Sequence, residues 1–255
     1  MWLRLRQIAL VSSDLERAQA LCEEVLGLAV CHRDPAVAEF GLHNILLPLG
    51  DQFVEVVAPL REGTTAGRYL ERRGGDGGYM VITQCDDHAP RRARVAALGV
   101  RIVHAFETDD FRNLQLHPRD TGGTFFEIDE QVGPRAHERD GPWLPAGAEW
   151  QRARRLERVQ GIAAAEIQAE DPRAVAERWA SIAELPVAQA GTTWTIPLDG
   201  AALRFVPIAD GRPEGLAGLD LCCPDPAPVL AAARMAGCVI DGNGIELVGM
   251  RLRLV

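Results

Sequence analysis

The sequence predicts an α+β protein built from four βαβββ modules, and three observations support this fold class. Four strand-like apolar segments each end at an aspartate, namely Asp14, Asp86, Asp171 and Asp225. A segment with the apolar spacing of a helix follows each aspartate, and further strand-like segments follow each helix. In the first two modules the last strand carries one glutamate between large apolar residues, Glu55 in FVEVV and Glu127 in FFEID.

The composition is that of an ordinary globular protein that does not bind nucleic acid. The chain has 255 residues, of which 47% are hydrophobic and 25% charged, so it can bury one large core or two ordinary ones. A net charge of −9 argues against binding to nucleic acid or an anionic membrane. We find no apolar run of membrane-spanning length and no apolar segment typical of a signal peptide, and we expect a cytoplasmic protein.

The first module begins with the strand IALVSSD and a helix that Gly27 ends. Ser13 and Glu16 have the spacing of a capping box at the start of this helix. Three strands are predicted next, LAVCHRD, AEFGLHNILLPLG and DQFVEVVAP, separated by turns at Asp34-Pro35 and Gly50-Asp51.

The second module repeats this order after a short helix around residues 66–73 and the glycine-rich GGDGG. YMVITQCDD is its first strand, residues 89–98 form its helix, and Gly99 ends that helix. RIVHAFE, NLQLHPR and TFFEIDE supply three more strands.

Residues 131–154 are rich in Gly, Pro and charge, which is typical of a linker. Trp143 and Trp150 leave a second interpretation open, a strap packed on a domain surface. Two further modules follow, with Asp171 and Pro172 starting one helix and residues 226–235 forming the other.

The two glutamates have two interpretations. A glutamate on an exposed edge strand discourages aggregation between sheets, and this role needs no site. However, Glu55 and Glu127 occupy matching positions in two copies of one module, between Phe, Val and Ile side chains. If the strands bring them together, one carboxyl pKa rises, which suits proton abstraction beside a carbonyl group.

The run of βαβββ modules resembles the vicinal oxygen chelate superfamily, with SDLERAQALCEEVLGL in the first module and GGTFFEID in the second. This superfamily includes glyoxalase I, methylmalonyl-CoA epimerase, extradiol dioxygenases and bleomycin-resistance proteins. The resemblance implies that modules pair into two incompletely closed eight-stranded barrels. It divides the chain into a glyoxalase-like domain at 1–130 with the candidate site, the linker or strap at 131–154, and a degenerate second domain at 155–255. We expect the second domain to cover the first, to brace it or to mediate dimerisation. A homodimer is therefore one arrangement that we consider.

The resemblance also implies a set of four ligands for a divalent metal, one on the first and one on the last strand of each module. In this sequence those positions are Gln7, Glu55, Tyr79 and Glu127. Tyr79 departs from the family pattern, where a histidine is expected, and phenol oxygen is a poor ligand near neutral pH. The remaining oxygen ligands favour Mg²⁺ or Mn²⁺ over Ni²⁺ or Zn²⁺, and a site without metal is the other alternative.

Three functions remain open. The first is a glyoxalase- or epimerase-like isomerase or lyase acting on a small oxygenated substrate, in which Glu55 or Glu127 moves a proton and Gln7 and Tyr79 contact the substrate. His117 is a further substrate-binding candidate, although His in HPRD also fits a turn bonded to its own backbone. The second is sequestration of a small molecule without chemistry, as in bleomycin resistance, and the third is a structural module. Extradiol cleavage is disfavoured because the strand positions hold no histidine.

Overall fold

The structure, a computed structural model, describes residues 1–255 and contains fifteen strands and five α-helices. The first half contains, in chain order, β1 (Leu3–Val11), α1 (Leu15–Leu26), β2 (Leu42–Leu49), β3 (Gln52–Pro59), α2 (Thr65–Arg73), β4 (Gly77–Cys85), α3 (His88–Ala97), β5 (Ile102–Glu107), β6 (Phe111–Leu116) and β7 (Phe125–Gln131). The second half contains β8 (Gly161–Ala169), α4 (Pro172–Ala183), β9 (Ala188–Ala190), β10 (Thr193–Leu198), β11 (Ala201–Pro207), β12 (Gly215–Cys222), α5 (Pro226–Met235), β13 (Ile240–Asp241), β14 (Gly244–Leu247) and β15 (Met250–Leu254). None of the helices combines the length and the apolar character that crossing a membrane requires.

The strands form two mixed sheets, with the orders β2-β3-β1-β4-β7-β6-β5 and β13-β14-β15-β12-β8-β11-β10-β9. In three modules the first and last strands lie side by side and parallel, β4 with β7, β8 with β11 and β12 with β15. The helix in each module belongs to the crossover that a parallel pair requires. Two unclosed sheets of seven and eight strands confirm the predicted α+β fold of repeated modules.

The first sheet has seven strands rather than eight, because the segment LAVCHRD does not form the predicted strand. This segment contributes only an isolated bridge between His32 and Leu46. Asp34 then caps a 3-10 helix by accepting a hydrogen bond from Ala36 N at 2.8 Å. Pro35, the first residue of that helix, has no N–H with which to extend a ladder.

The first helix begins one residue later than the predicted capping box. Asp14 is the N-cap of α1, and its side chain accepts a hydrogen bond from Arg17 N at 2.8 Å. The prediction that Ser13 and Glu16 form the capping box is therefore wrong. The Ser13 hydroxyl instead donates to Asp76 Oδ1 at 3.0 Å, which removes it from the helix end.

The third helix also begins one residue later than the predicted repeat. Asp87, not Asp86, is the N-cap of α3, and it accepts a hydrogen bond from Ala89 N at 3.1 Å. The aspartates predicted for the other three modules are the caps of their helices. Counted back from Asp87, the position equivalent to Gln7 is therefore Met80 rather than Tyr79. A shift of one residue changes the face of a strand on which a side chain lies.

The contacts within the chain define two compact units, each of which uses both halves of the sequence. The first unit comprises Met1–Gln7, Tyr79–Leu144 and Ala164–Leu216. The second unit comprises Ile8–Gly78, Pro145–Ala163 and Ala217–Val255. The predicted domains 1–130 and 155–255 follow the two sheets instead, and these boundaries stay a prediction.

The tryptophans of segment 131–154, which we call the strap, are buried in these units. Trp143 and Trp150 are each 1% exposed. In the first unit Trp143 packs edge-on against Phe111, with ring centroids 5.2 Å apart. In the second unit Trp150 packs edge-on against Phe53 at 4.9 Å. Both indoles thus contribute to a core.

Trp179 of α4 is the aromatic centre of the first unit. Its ring stacks on Phe126 of β7 with centroids 4.2 Å apart, and it meets the ring of Phe205 of β11 edge-on at 5.6 Å. The indole N–H donates to Thr121 O at 3.0 Å, so the buried polar atom has a partner. Within the first unit, one side chain therefore joins strands of both sheets.

We expect Trp179→Ala to lower the free energy of unfolding by about 3–5 kcal/mol, because it leaves a cavity between two aromatic rings. Urea denaturation followed by circular dichroism measures this loss. The control is Trp194→Ala, because Trp194 is only partly buried and should contribute less. A loss below about 1 kcal/mol for Trp179→Ala would show that these contacts do not hold the unit together.

Candidate active site

Three neighbouring strands of the first unit, β4, β7 and β6, carry polar side chains on one face. In the parallel register of β4 and β7, Ile82 lies beside Glu127 and Gln84 beside Asp129. On the other side of β7, Gln115 of β6 lies opposite Glu127. Because side chains alternate along a strand, residues at matched positions share a face. We call this surface the polar face, and it consists of Gln84, Asn113, Gln115, Glu127, Asp129 and Gln131.

Two carboxyl groups lie next to each other on the polar face. Glu127 is 8% exposed and Asp129 is 0% exposed, and they are two residues apart on β7. Asp129 Oδ1 accepts hydrogen bonds from Asn113 Nδ2 at 3.0 Å and from Leu114 N at 3.4 Å. No N–H donates to Asp129 Oδ2, and the electrostatic neighbour of this carboxyl group is Glu127.

Burial raises the pKa of Asp129 well above its ordinary value. The negative charge of Glu127 and a hydrogen bond with Glu127 raise this pKa further, while the donors Leu114 N and Asn113 lower it. Two adjacent buried carboxyl groups cannot both ionise cheaply, so the pair retains one proton where separate carboxyl groups would have lost theirs. One member of such a pair is an acid and the other a base, as proton transfer requires.

Gln7 of β1 lies in the first unit and is 2% exposed. Its Oε1 accepts a hydrogen bond from the indole Nε1 of Trp143 at 2.8 Å. Trp143 also lies against Phe111, which is opposite Gln131 in the register of β6 and β7. Trp143 therefore contacts Gln7 and also Phe111, which lies beside Gln131 of the polar face.

Tyr79 and Met80 lie at the start of β4. Tyr79 is 6% exposed, and its ring packs edge-on against Phe125 with centroids 4.9 Å apart. Met80 lies beside Phe125 in the register, and its sulfur accepts a contact from Gln115 Nε2 at 3.6 Å. Met80, the repeat position that follows from the corrected helix cap, is thus in contact with Gln115 of the polar face.

His117 lies one residue beyond β6 and caps a 3-10 helix at Pro118–Asp120. Its Nδ1 accepts a hydrogen bond from Arg119 N at 3.1 Å, which is the turn that the HPRD sequence also allows. Burial, and then the charge of Arg101, lower the pKa of His117. The imidazole Nδ1 therefore acts in this turn as a hydrogen-bond acceptor.

Glu55 lies on β3 in the second unit, whereas Gln7, Tyr79, His117 and Glu127 belong to the first. It is 7% exposed, and its Oε1 accepts a hydrogen bond from Asn44 Nδ2 at 2.6 Å. Asn44 Oδ1 in turn accepts from Asp34 N at 2.8 Å. Within its own unit Glu55 is therefore a buried, hydrogen-bonded carboxyl group.

The sequence reasoning missed Asp129 and the amides beside it. The missing signal was alternation, because NLQL places polar side chains at Asn113 and Gln115, and EIDEQ places them at Glu127, Asp129 and Gln131. Polar residues at every second position of two consecutive strands indicate one polar surface. Asp129 belongs to the same alternating pattern as Glu127.

The residues present do not fit the divalent metal that the family resemblance implies. No group of three or more His, Cys, Asp and Glu side chains is placed to hold a metal ion. The predicted ligands include no imidazole, and the oxygens of Gln7 and Glu55 already accept hydrogen bonds from Trp143 and Asn44. This donor chemistry does not match that of Ni²⁺ or Zn²⁺ sites, which use imidazole or thiolate ligands.

A cavity of about 540 Å³ lies where β7 passes into the strap, lined from Glu130 to Glu138. It includes Ala136, whose carbonyl oxygen accepts a hydrogen bond from Gln84 Nε2 at 2.8 Å. The strap thus touches the polar face on one side and solvent-accessible space on the other.

Comparisons with known proteins agree with this architecture. A family model described as a glyoxalase-like domain matches residues 8–183. The ethylmalonyl-CoA/methylmalonyl-CoA epimerase of Cereibacter sphaeroides is 27% identical over 132 residues, covering 50% of this chain and 97% of that protein. The mitochondrial methylmalonyl-CoA epimerase of Homo sapiens is 25% identical over 134 residues, covering 50% of this chain and 73% of that protein.

Two solved structures extend the likeness to nearly the whole chain. A triple mutant of 4-hydroxymandelate synthase from Streptomyces coelicolor covers 92% of this chain and 75% of its own, with a TM-score of 0.66 and 15% identity. A hypothetical protein from Staphylococcus aureus covers 99% of both chains, with a TM-score of 0.69 and 11% identity. At these identities the likeness indicates the fold alone.

We expect Asp129→Asn to remove a pH dependence of stability. The pKa of Asp129 is raised in the folded protein, so its contribution to stability is complete below about pH 4, where an unfolded aspartate titrates. That contribution is lost as the pH rises through the raised pKa. The asparagine amide cannot ionise, keeps an acceptor for Asn113 and Leu114, and supplies a donor to Glu127. The variant should therefore gain stability relative to the wild type by about 1.4 kcal/mol per unit of pKa shift.

Urea unfolding between about pH 4 and about pH 8 measures this difference, with the exposed Asp109→Asn as the matched control. Parallel profiles for Asp129→Asn and the wild type would contradict the proton-holding pair.

We expect Mg²⁺, Mn²⁺ and Ni²⁺ to leave the melting temperature unchanged, because no group of three or more His, Cys, Asp and Glu side chains is placed to hold an ion. Thermal unfolding of the metal-stripped protein with each ion tests this. An upward shift that disappears in Glu127→Gln would restore the metal-assisted alternative.

Proposed function

The chain belongs to the glyoxalase-like domain family, and from that premise we propose that it is an isomerase-like enzyme. In this proposal it moves a proton on a carbon atom next to a carbonyl group of a small oxygenated substrate. Two of its relatives are named epimerases, and epimerisation next to a carbonyl group removes and returns one proton. A lyase that begins with removal of the same proton is a related possibility within this proposal.

The observation that carries the proposal is the buried pair of Glu127 and Asp129. A carboxylate becomes a stronger base when water is excluded and when a negative neighbour opposes its charge. Glu127 is the more exposed member, at 8% against 0% for Asp129, so we assign the proton transfer to Glu127. Asp129, the more deeply buried carboxyl group, is the neighbour that makes Glu127 a stronger base.

The proposed reaction needs no oxidant and no other reactant. The carbon–hydrogen bond breaks, its proton passes to Glu127, and its electron pair forms the enolate of the neighbouring carbonyl group. The proton held by Glu127 exchanges with solvent, and a proton then adds to the enolate carbon, either on the opposite side or at a neighbouring position. The Gln115 amide, opposite Glu127 and held only by the sulfur of Met80 at 3.6 Å, is suited to donate to the enolate oxygen.

The remaining predicted residues keep assigned roles within the proposal. Gln7, Tyr79 and His117 stay predicted substrate contacts, and Glu55 stays a predicted catalytic acid of its own unit, separate from the pair of Glu127 and Asp129. Metal assistance is left out because the side chains do not form a fitting ligand set.

Binding without chemistry is the alternative function. It is favoured by the hydrogen bond between Gln7 and Trp143, which engages the one amide that the superfamily pattern would place on substrate or metal. A protein of this kind would protect a ligand rather than convert it.

We expect Glu127→Gln to abolish proton transfer while leaving folding intact. The probes are methylmalonyl-CoA, pyruvate and dihydroxyacetone in D₂O, and proton NMR measures exchange of the hydrogen next to the carbonyl group. Loss of a general base should slow exchange by about 10²–10⁴-fold. Glu55→Gln tests the second predicted acid by the same readout.

The matched control is Glu130→Gln, because Glu130 lies on β7 but on the opposite face, where it bonds Arg112 and His88 N. Exchange at the wild-type rate in Glu127→Gln would overturn the assignment. A probe that raises the melting temperature but shows no exchange with the wild type would favour the binding alternative.

A further inference from the structure

Gln84, Asp129 and Asn113 form a row across three strands of the polar face. The strands are neighbours in the order β4-β7-β6. Gln84 and Asp129 are register partners, and Asn113 Nδ2 donates to Asp129 Oδ1 at 3.0 Å. The row lies two residues from Glu127 along β7, a distance of about 7 Å.

Both amides of this row are buried but only half satisfied. Gln84 is 0% exposed and Asn113 is 4% exposed. Gln84 Oε1 and Asn113 Oδ1 have no hydrogen-bond partner in the protein. A buried carbonyl oxygen without a partner costs about 1–3 kcal/mol, so two in one row require an explanation.

The orientation of each amide is fixed by what its nitrogen contacts. Gln84 Nε2 donates to the carbonyl oxygen of Ala136 in the strap at 2.8 Å. Asn113 Nδ2 donates to the Asp129 carboxyl group. Turning either amide over would place its oxygen against another oxygen, so the unpartnered atoms are acceptors in both cases.

Gln131, on the same face, shows what a purely structural glutamine does here. Its Nε2 donates to Asp110 O at 2.9 Å, and its Oε1 accepts from Leu144 N at 2.8 Å. Both ends of that amide are therefore occupied by backbone. Gln84 and Asn113 differ from Gln131 in that their side-chain oxygens accept no hydrogen bond.

We infer that Gln84 Oε1 and Asn113 Oδ1 form a subsite that accepts hydrogen bonds from a hydroxyl-bearing part of the substrate. This inference rests on the proposed function, because it places the recognised hydroxyl group beside the carbon at which Glu127 acts. It names a substrate class, short uncharged hydroxylated carbonyl compounds such as hydroxy ketones and hydroxy aldehydes.

The chemistry of the row selects hydroxyl groups over other polar groups. Two carbonyl oxygens flanking a carboxyl group offer no N–H to a carboxylate or phosphate of a ligand, and they repel its charge. A hydroxyl group donates to such oxygens and, being neutral, is cheap to bring into a buried site. A site built to hydrogen-bond a hydroxyl group rejects the analogue that lacks it, because its buried acceptors then stay unpaired.

The test compares matched probes on the full chain by titration in ligand-observed NMR. Dihydroxyacetone is paired with acetone, and glyceraldehyde with propionaldehyde. We expect each hydroxylated probe to bind at least about tenfold more tightly than its partner, which is the effect of one well-made hydrogen bond. Gln84→Met and Asn113→Leu should each remove most of this preference.

Gln131→Met is the matched control, because it removes an amide of the same face whose two ends are occupied. It should lower stability and leave the preference for hydroxylated probes unchanged. The Gln84 and Asn113 variants each remove an unsatisfied buried oxygen but also a donor, to Ala136 O or to Asp129 Oδ1, so stability is measured for all three variants and the preference is compared in the folded proteins.

Equal binding of hydroxylated and deoxy probes would overturn the inference and leave the two oxygens to bound water. A preference that survives in both Gln84→Met and Asn113→Leu would overturn it as well. The proposed function fails separately: hydroxyl-selective binding without exchange of the neighbouring hydrogen would retain the subsite and remove the proton transfer.

Discussion

The parallel pairing of β4 with β7 is the constraint on which the candidate active site depends. It places Gln84 beside Asp129 and Ile82 beside Glu127. The alternate residues Phe126 and Ile128 are 0% exposed on the other face of β7, where Phe126 stacks on Trp179. A slip of one residue would exchange the two sets and bury two carboxyl groups in an apolar core, at a cost of several kcal/mol. The aromatic packing of one face therefore fixes the chemistry of the other.

Burying so many polar groups requires partners, and the strap supplies them from its backbone. Arg4 donates to His137 O at 3.2 Å, and Arg6 donates to Gly141 O at 3.1 Å. Gln84 uses Ala136 O in the same way. Carbonyl oxygens are suitable partners because they accept hydrogen bonds without adding charge. Against this background, the amide oxygens that no backbone group occupies point to a ligand.

The modules repeat a backbone without repeating its chemistry. At the register position that holds Glu127 in the second module, the third module has Arg204 rather than Phe205, and the Arg204 guanidinium pairs with Glu166 Oε2 at 3.0 Å. The fourth module has Arg253, whose guanidinium pairs with Asp220 Oδ2 at 2.6 Å. One strand position thus supplies an acid in one module and the arginine of an ion pair in two others. Membership of a fold family consequently assigns a site only where the side chains agree with it.

The sequence by itself determined the modules and most helix ends, because apolar spacing and capping residues act within a few positions of the chain, whereas the burial of Glu127 was open between two interpretations. Helix α5, predicted at 226–235, is found at Pro226–Met235. Only the tertiary structure decided which side chains meet. It placed Met80 rather than Tyr79 at the repeat position, brought Gln84 and Asn113 beside Asp129, and joined Trp143 to Gln7 across 136 positions. Such contacts depend on strand register and on long-range packing, and no local pattern of residues records either.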